Sequence, residues 1–184
     1  MQKRIIVGIS GASCICLGVR MLETLRKAGA ETHMVVTETA KRVLKEETGL
    51  SYGEAEKLAD KSYDSHDFFA AIASGSFRTD GMVVVPCSMK TLGGIASGNS
   101  SNLLLRAADV MLKERRRLVL VVRETPLNLI HIRNMETAAL AGAVILPPMP
   151  ACYTKPETID DLVTHVLGKV CDQFGIDIGY KRWE

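Results

Sequence analysis

Short runs of apolar residues alternate along the chain with segments in which apolar positions recur at helical spacing. The runs, most of them rich in β-branched residues, cover residues 5–9, 33–36, 82–85, 118–122 and 143–146. Such runs are typical of strands buried on both faces of a parallel sheet. Helical spacing is found at residues 17–28, 38–48, 89–96, 103–114, 127–141 and 159–174. This alternation predicts an α/β three-layer fold with a mostly parallel sheet.

The segment 49–79 departs from this alternation. A short polar helical pattern at 52–60 is followed by the stretch SHDFFAAIASGSF, in which small residues replace any periodicity. An irregular segment of this length inside a compact domain is usually functional or covered by a neighbouring protein chain. No linker or repeat divides the chain, and 184 residues with 47% hydrophobic residues can bury a substantial core. We therefore expect one domain over residues 1–184.

The charge balance and the cysteines narrow the class of protein. With 23 basic and 21 acidic residues the net charge is +2, which does not favour binding to nucleic acid. The basic run 113–117 is explained by its place at a predicted helix end, where cations suit the helix dipole. The five cysteines include no C-x-x-C pair, which argues against a disulfide framework and a zinc site. We therefore predict no metal and a reducing compartment.

The N-terminal residues bear on the location of the protein. Met-Gln-Lys-Arg is followed by an apolar run of only five residues, which is too short for a signal peptide or a membrane span. We expect a soluble, cytoplasmic protein with no membrane partner.

The first strand leads into a turn of small residues within IIVGISGASCICLGVRML, residues 5–22. A strand, a tight turn and a helix N-terminus together form an anion site, because the first amides of a helix have no internal partner. The spacing Gly8, Gly11, Gly18 does not match the dinucleotide pattern G-x-G-x-x-G. The corner formed by residues 11–13 instead suits a single phosphate. The alternative is a tight turn that binds nothing.

A second strand-to-helix turn lies in PCSMKT, residues 86–91, where Ser88 is placed to cap a helix. Ligands of open parallel sheets bind outside the carboxyl ends of the strands, at the crevice where the strand order reverses. Thr37, Arg123 and Glu124 also follow predicted strands. Hydroxyls and a cation should therefore meet at one edge, which favours a phosphorylated planar cofactor over a helix cap without a function.

Taken together, several stretches resemble the UbiX-like flavin prenyltransferases, a family that includes proteins long labelled as components of phenolic acid decarboxylases. The resemblance runs nearly end to end and rests on GISGAS, ASGSF, PCSMKTL, RAADVMLKERR, LVLVVRETPL, IHIRNM, GAVILPPMPACY and the terminal RW. It implies a Rossmann-like flavoprotein fold and a homo-dodecamer. It also implies the transfer of a dimethylallyl group from dimethylallyl phosphate to reduced FMN. The product, prenylated FMN, would serve a separate UbiD-like decarboxylase.

The resemblance also assigns roles to residues. Implied contacts to FMN come from Gly11, Ala12, Ser13, Thr37, Ser88, Met89, Lys90, Thr91 and Arg123. Implied contacts to the prenyl phosphate, partly across the interface between two protomers, come from Arg106, Lys113, Arg123, Glu124, Tyr153 and Lys169. Ser13 and Glu47 occupy the positions of a proton relay, and Trp183 would offer a π face to an allylic cation. No aspartate-rich diphosphate motif occurs, so Arg, Lys and a phenol must meet the phosphate charge.

Several alternatives stay open at the level of the sequence. Glu47 can be an ordinary solvated carboxylate, Lys169 can lie at the edge of an apolar helix stripe with its ammonium in water, and Trp183 can anchor the tail. Cys14 stands where the family usually has glycine, which puts FMN binding in doubt if the turn needs a positive φ. The competing functions are an FMN-dependent cysteine-type decarboxylase and a non-catalytic FMN-binding subunit. The former class has an early catalytic histidine and a PASANT-like stretch, and neither stands here.

Overall fold

Six parallel strands form one sheet in the computed structural model, which describes residues 2–183. They are β1 (Arg4–Ile9), β2 (Glu31–Val36), β3 (Lys61–Tyr63), β4 (Gly81–Cys87), β5 (Arg117–Val122) and β6 (Val144–Ile145). The spatial order is β3-β2-β1-β4-β5-β6, and every pair is parallel. The chain first builds outward from β1 to β3 and then returns to the other side of β1. The strand order therefore reverses between β1 and β4, where a ligand crevice is expected.

Helices cover both faces of this sheet. They are α1 (Cys16–Lys27), α2 (Glu38–Thr48), α3 (Tyr52–Glu56), α4 (Met89–Ala96), α5 (Leu103–Lys113), α6 (Leu129–Leu140) and α7 (Ile159–Asp172). Alternate strand residues point to opposite faces, so that Val7 and Val83 pack with α1 and α7 while Ile6 and Met82 pack with α4 and α5. Two separate apolar cores result, which confirms the predicted three-layer α/β architecture with a parallel sheet.

The segment 49–79 adds the one strand that the sequence pattern did not predict. Residues 61–63 form β3 at the edge of the sheet and pair with β2. The rest of the segment packs on α5: the carbonyl of Ser65 accepts a hydrogen bond from the amide of Leu103 at 2.8 Å, and Ala70 and Ile72 are buried. Phe69 next to them is fully exposed. The segment is therefore built into the fold while presenting an aromatic ring outward.

The C-terminal helix α7 runs along α1 towards the amino edge of the sheet. Its N-terminal turn is joined to α1 by the ion pair of Arg20 with Asp160. Past its other end, Phe174 reaches Gly81 at the start of β4, where an added Cβ would lie only 2.7 Å from the Phe174 ring. None of the helices within residues 2–183 combines the length and the apolar character that crossing a bilayer requires.

Candidate active site

The turns after β1 and β4 are joined by a buried serine at the point where the strand order reverses. The ladder between β4 and β5 is irregular between Val84 and Cys87, as expected where Pro86 cannot donate a hydrogen bond. The carbonyl of Pro86 accepts hydrogen bonds from both the amide of Ser10 at 3.2 Å and its hydroxyl at 2.9 Å. The same hydroxyl accepts from the amide of Ser88 at 2.8 Å. Sequence reasoning did not single out Ser10, although one side chain fixes both turns.

The first turn carries a carboxylate that comes from another element. Glu47, near the end of α2, accepts a hydrogen bond from the amide of Ile15 at 3.1 Å. The Ser13 hydroxyl, followed by the amides of Ile15 and Cys14 and the positive charge of Arg123, lowers the pKa of Glu47. The carboxylate is therefore ionised at neutral pH and touches the residues that precede α1. Glu47 is exposed, but this hydrogen bond attaches it to the first turn.

The backbone of the first turn is strained at one position. Cys14 has a φ of +66°, in the left-handed region that costs an L-residue about 1–2 kcal/mol. The conformation at this position is the one that glycine adopts freely. The departure from glycine noted in the sequence therefore falls on a position that requires a positive φ.

The second turn is capped as predicted. The Ser88 hydroxyl accepts a hydrogen bond from the amide of Thr91 at 3.3 Å and donates to its hydroxyl at 3.1 Å. Ser88 is thus the N-cap of α4, whose first turn contains the partly buried Met89 and the exposed Lys90. The free amides of this turn face the carboxyl edge of the sheet, where the helix dipole favours an anion.

Two neighbouring strands deliver further polar groups to the same edge. Thr37 follows β2, caps α2 and donates its amide to the carbonyl of Ile9 at 3.0 Å. Arg123 follows β5 and donates its amide to the carbonyl of Cys87 at 3.0 Å. Because β2, β1, β4 and β5 are adjacent and parallel, the residues after all four strands lie at one edge of the sheet. This is the edge at which the sequence predicts that hydroxyls and a cation meet.

A cavity of about 410 Å³ opens from this crevice between α4 and α5. Its lining includes the predicted Gly11, Thr37, Ser88, Lys90 and Thr91. It also includes residues that the sequence reasoning missed, namely Thr39, Gly93, Gly94, Ser97, Asn99, Ser101, Asn102 and Leu105. Asn102 accepts a hydrogen bond from the amide of Leu105 at 2.9 Å and caps α5. An asparagine directly before an apolar helical run was the signal that could have identified it.

The donor set of this cavity fits a flavin mononucleotide. Hydroxyls and helix-start amides suit a phosphate and a ribityl chain, Lys90 supplies positive charge, and Leu105 offers apolar surface to a ring. Met89 begins α4 and Arg123 follows β5 at the same edge of the sheet, outside this lining. Position 11 leaves no space for a side chain, since a Cβ on Gly11 would lie 2.6 Å from the Thr39 methyl group. In the part of the chain that the structure describes, no group of three His, Cys, Asp or Glu side chains is placed to hold a metal ion.

Other residues predicted for the prenyl phosphate do not reach this crevice within one chain. Arg106, one turn into α5, is held by the carbonyl of Ala73 at 3.1 Å and by Asp109 at 2.7 Å. Lys113 ends α5 immediately before β5 begins, which places it at the amino edge of the sheet, where it pairs with Glu114. Glu124 lies next to Arg123 and is exposed. Of this set, only Arg123 and Glu124 stand at the carboxyl edge in the same chain.

The residues predicted near the C-terminus form a group of their own. The rings of Tyr153 and Trp183 meet edge to face with centroids 5.3 Å apart, and both side chains are exposed. Lys169 is exposed in the last turn of α7, one turn before the contact of Phe174 with the amino edge of the sheet. Within one chain, Lys169 therefore lies towards the amino edge of the sheet, away from the crevice at the carboxyl edge.

Known proteins resemble this chain over almost its full length. The family model described as Flavoprotein matches residues 1–171. A probable UbiX-like flavin prenyltransferase of Streptomyces sp. (strain D7) is 53% identical over 98% of this chain and 91% of that protein. The chain belongs to the UbiX-like flavin prenyltransferase family. This confirms the resemblance derived from the motifs.

Two solved structures agree with this UbiX-like membership. AnUbiX in complex with FMN and dimethylallyl pyrophosphate has a TM-score of 0.98 and 49% identity, covering 100% of this chain and 98% of that one. A dodecameric, FMN-dependent UbiX-like decarboxylase from Escherichia coli O157:H7 has a TM-score of 0.95 and 50% identity, covering 98% of this chain and 99% of that one. The Rossmann-like flavoprotein fold expected from the sequence is thereby confirmed.

Proposed function

We propose that this protein transfers the dimethylallyl group of dimethylallyl phosphate to reduced FMN and releases prenylated FMN and phosphate. The family membership supports this activity, as does the fit of the cavity to a flavin mononucleotide. The flavin supplies the nucleophilic ring that accepts the prenyl group. The chain binds and orients both substrates and handles the charge and the protons.

The observation that carries the proposal is the contact between Glu47 and the turn at Ser13. An ionised carboxylate whose pKa is lowered by the Ser13 hydroxyl can take a proton through that hydroxyl from a bound substrate. The amides of Ile15 and Cys14 and, less strongly, the charge of Arg123 also lower the pKa of this carboxyl. A simple flavin carrier would need Glu47 only to hold the turn through the Ile15 amide, and it would not need a carboxylate beside the Ser13 hydroxyl. We therefore assign Ser13 and Glu47 as the proton relay.

The leaving phosphate needs positive charge and hydrogen-bond donors. Arg123 and Glu124 stand at the crevice, whereas Arg106, Lys113, Tyr153 and Lys169 lie elsewhere on the same chain. We propose that these four residues complete the phosphate site in an assembly, where they approach the crevice of a neighbouring protomer. Charge-assisted hydrogen bonds from such groups are about twice as strong as neutral ones. Trp183 would then present its ring to the allylic group.

A homo-dodecamer is the assembly we propose, by analogy with the dodecameric relative. The chain has the apolar surface that such an assembly buries. α6 exposes large side chains along most of its length, including Leu129 at 60%, Ile130 at 68% and Leu140 at 83%. Phe69 is also fully exposed. Exposed apolar surface of this extent marks protein–protein contact.

The position of His33, the histidine in the early part of the chain, argues against a cysteine-type decarboxylase. His33 is fully buried in β2, where its Nδ1 lies 2.7 Å from the Tyr63 hydroxyl and its Nε2 lies 2.9 Å from Glu31. Both ring nitrogens are occupied by structural partners. The residue therefore has no access to a substrate in the crevice.

The deciding experiment weighs the flavin that the protein releases. The full-length protein is incubated anaerobically with reduced FMN and either dimethylallyl monophosphate or diphosphate, and the extracted flavin is analysed by mass spectrometry. A flavin that is heavier by one dimethylallyl group in place of hydrogen supports the proposal and identifies the donor. Bound FMN of unchanged mass with both donors would leave only a flavin-binding subunit.

The wider setting follows from this activity. We propose a single flavin-binding domain over residues 1–184, a cytoplasmic location, and a UbiD-like decarboxylase as the recipient of prenylated FMN. The recipient is tested by adding the reaction mixture to an apo-decarboxylase of that class and measuring the release of carbon dioxide.

A further inference from the structure

Four aromatic rings form a continuous contact along α7 and the C-terminal tail, which we call the aromatic ladder. Its members, in spatial order, are Trp183, Tyr153, His165 and Tyr180. Successive ring centroids lie 5.3, 5.5 and 5.5 Å apart, and every pair meets edge to face. Only His165 in this ladder is not already assigned to a substrate or anchored by a strong polar contact. His165 lies between two tyrosines, Tyr153 and Tyr180.

His165 makes one polar contact, and that contact is to Tyr153. The residue is only 8% exposed, its Nε2 lies 3.3 Å from the Tyr153 hydroxyl, and its Nδ1 has no hydrogen-bond partner within residues 2–183. A buried N–H without an acceptor costs more than a buried nitrogen lone pair without a donor. A proton on Nε2 satisfies that N–H with the Tyr153 oxygen and leaves only the Nδ1 lone pair without a partner.

This proton assignment determines what Tyr153 can do. Because its oxygen accepts from His165, its own O–H is free to donate in another direction. Tyr153 is 45% exposed, which leaves room for a ligand beside it. A phenol held in this way is a directed donor for an anionic oxygen.

The ring of His165 is held in place from the other side by Tyr180. The Tyr180 hydroxyl donates to Asp172 at 2.5 Å, and Arg182 pairs with the same carboxylate at 2.8 Å. Tyr180 lies directly on Gly168, where an added Cβ would be 2.2 Å from the ring. The imidazole is thus packed between an anchored tyrosine and Tyr153.

We propose that His165 is a positioning residue for the prenyl donor. Its Nε2–H holds the Tyr153 oxygen so that the Tyr153 hydroxyl donates to the phosphate of dimethylallyl phosphate. The inference rests on the proposed function, since it takes this phosphate as the partner of Tyr153. His165 itself touches neither substrate and acts only through Tyr153.

The test uses three substitutions of the full-length assembled protein. His165→Gln places an amide N–H near the former Nε2, His165→Asn places one near Nδ1, and His165→Phe keeps the ring without nitrogen. His66→Gln, in an exposed loop, is the matched control. Binding of dimethylallyl phosphate to the FMN-loaded protein is measured by calorimetry, and KM and kcat are measured under reducing conditions.

We expect His165→Asn and His165→Phe to weaken donor binding and to raise KM for dimethylallyl phosphate about tenfold, with FMN affinity unchanged. That factor corresponds to the loss of one hydrogen bond, about 1.4 kcal/mol. His165→Gln should stay within about threefold of the parent, and His66→Gln should equal it. Equal behaviour of the Gln and Asn variants would overturn the proposal, and this comparison remains valid if the Phe variant does not fold.

A double variant tests whether the effect passes through Tyr153. If it does, adding His165→Asn to Tyr153→Phe costs nothing further, because the hydroxyl that it positions is already gone. An additional tenfold loss in the double variant would instead assign His165 a separate structural role and overturn the inference.

A parent that binds the donor without transferring the prenyl group would refute the proposed function alone, since the binding comparison would still report on His165. A parent that does not bind the donor would refute both.

Discussion

The hydroxyl of Ser10 accepts a hydrogen bond from the amide of Ser88 at 2.8 Å, which joins the ends of the neighbouring strands β1 and β4. It donates at the same time to the carbonyl of Pro86 at 2.9 Å, and the side chain is fully buried. Ser10 precedes the first turn and Ser88 caps α4, so this one contact sets the spacing of the two turns. The crevice at the reversal of strand order therefore depends on a single buried hydroxyl.

Replacing this hydroxyl should loosen the flavin site. In Ser10→Ala the partly buried Ser88 amide is left without its acceptor, which costs about 1–3 kcal/mol. We expect a lower free energy of unfolding in urea by that amount and weaker FMN binding by flavin fluorescence. Ser74→Ala, which removes an exposed hydroxyl far from the turns, is the control and should change neither. Unchanged FMN affinity in Ser10→Ala would show that the two turns do not depend on each other.

The fold was predictable from the sequence because its strands are buried on both faces. The runs at 5–9, 82–85 and 118–122 fall within β1, β4 and β5, since continuous β-branched runs have few other uses. β3 escaped prediction because residues 61–63 are Lys, Ser and Tyr at a sheet edge, too short and too polar to show a period. Its place is fixed by pairing with β2, which only tertiary structure reveals.

The site was predictable only where it follows from strand ends. Thr37, Ser88 and Arg123 were expected at one edge because topology alone brings them there. Glu47 lies near the end of a polar helix, and nothing in its surroundings along the chain distinguishes it from a solvated carboxylate. His165 likewise looks like any histidine on an apolar helix face, and its contact with Tyr153 spans 12 positions of the chain. Such pairings are set by packing and leave no local pattern.

Relief of the strained turn at Cys14 should stabilise the protein. Its φ of +66° costs an L-residue about 1–2 kcal/mol. Glycine avoids this cost but loses more chain entropy on folding, which offsets about 0.5–1 kcal/mol of the gain. We expect Cys14→Gly to gain up to about 1 kcal/mol in unfolding free energy and to bind FMN at least as tightly. Cys14→Ala keeps the Cβ and is the matched control, which should show no gain. A gain of equal size in both variants would point to the thiol and away from the backbone.

Substitution of Glu47 should slow prenyl transfer without weakening FMN binding. The Ser13 hydroxyl, and after it the amides of the turn, lower the pKa of this carboxyl. Glu47→Gln retains one oxygen to accept from the Ile15 amide but cannot take up a proton, so we expect retained FMN binding with at least a roughly tenfold loss in the rate of prenylated FMN formation. Glu46→Gln on the neighbouring exposed position is the control. Parent rates in Glu47→Gln would remove the carboxylate from the relay.

The same carboxylate should contribute to stability in a pH-dependent way. Because its folded pKa lies below the unfolded value of about 4.3, its contribution is present above that value and is lost as the pH falls through the folded pKa. We therefore expect the difference in unfolding free energy between the parent and Glu47→Gln to shrink below about pH 4. A difference that grows on acidification would contradict the direction of this shift.

The exposed face of α6 should hold the assembly together. Ile130 is 68% exposed, and a carboxylate placed there would be buried unpaired in an interface, at a cost of several kcal/mol. We expect Ile130→Glu to yield smaller species by light scattering coupled to size-exclusion chromatography, with a parent-like circular dichroism spectrum. Lys27→Glu on the exposed end of α1 should leave the mass unchanged. A dodecamer-sized peak for Ile130→Glu would move the interface away from α6.

Lys169 tests whether the C-terminal group serves the prenyl donor. The residue is exposed at the end of α7, and its charge is one of several that lower the pKa of Asp172, after the larger effect of Arg182. Within one chain this is the pattern of a solvated helix end, and only a neighbouring crevice would give the ammonium a phosphate to bind.

An ammonium on a partly desolvated phosphate supplies about 1.5–3 kcal/mol, or roughly tenfold to a hundredfold in kcat/KM for dimethylallyl phosphate. We therefore expect Lys169→Ala to bind FMN like the parent and to lose donor efficiency by that factor, while Lys169→Arg keeps much of it because a guanidinium also binds phosphate. Lys27→Ala, equally exposed on α1, should keep full efficiency. Parent-like transfer by Lys169→Ala at low donor concentration would return Lys169 to the solvated face of an ordinary helix.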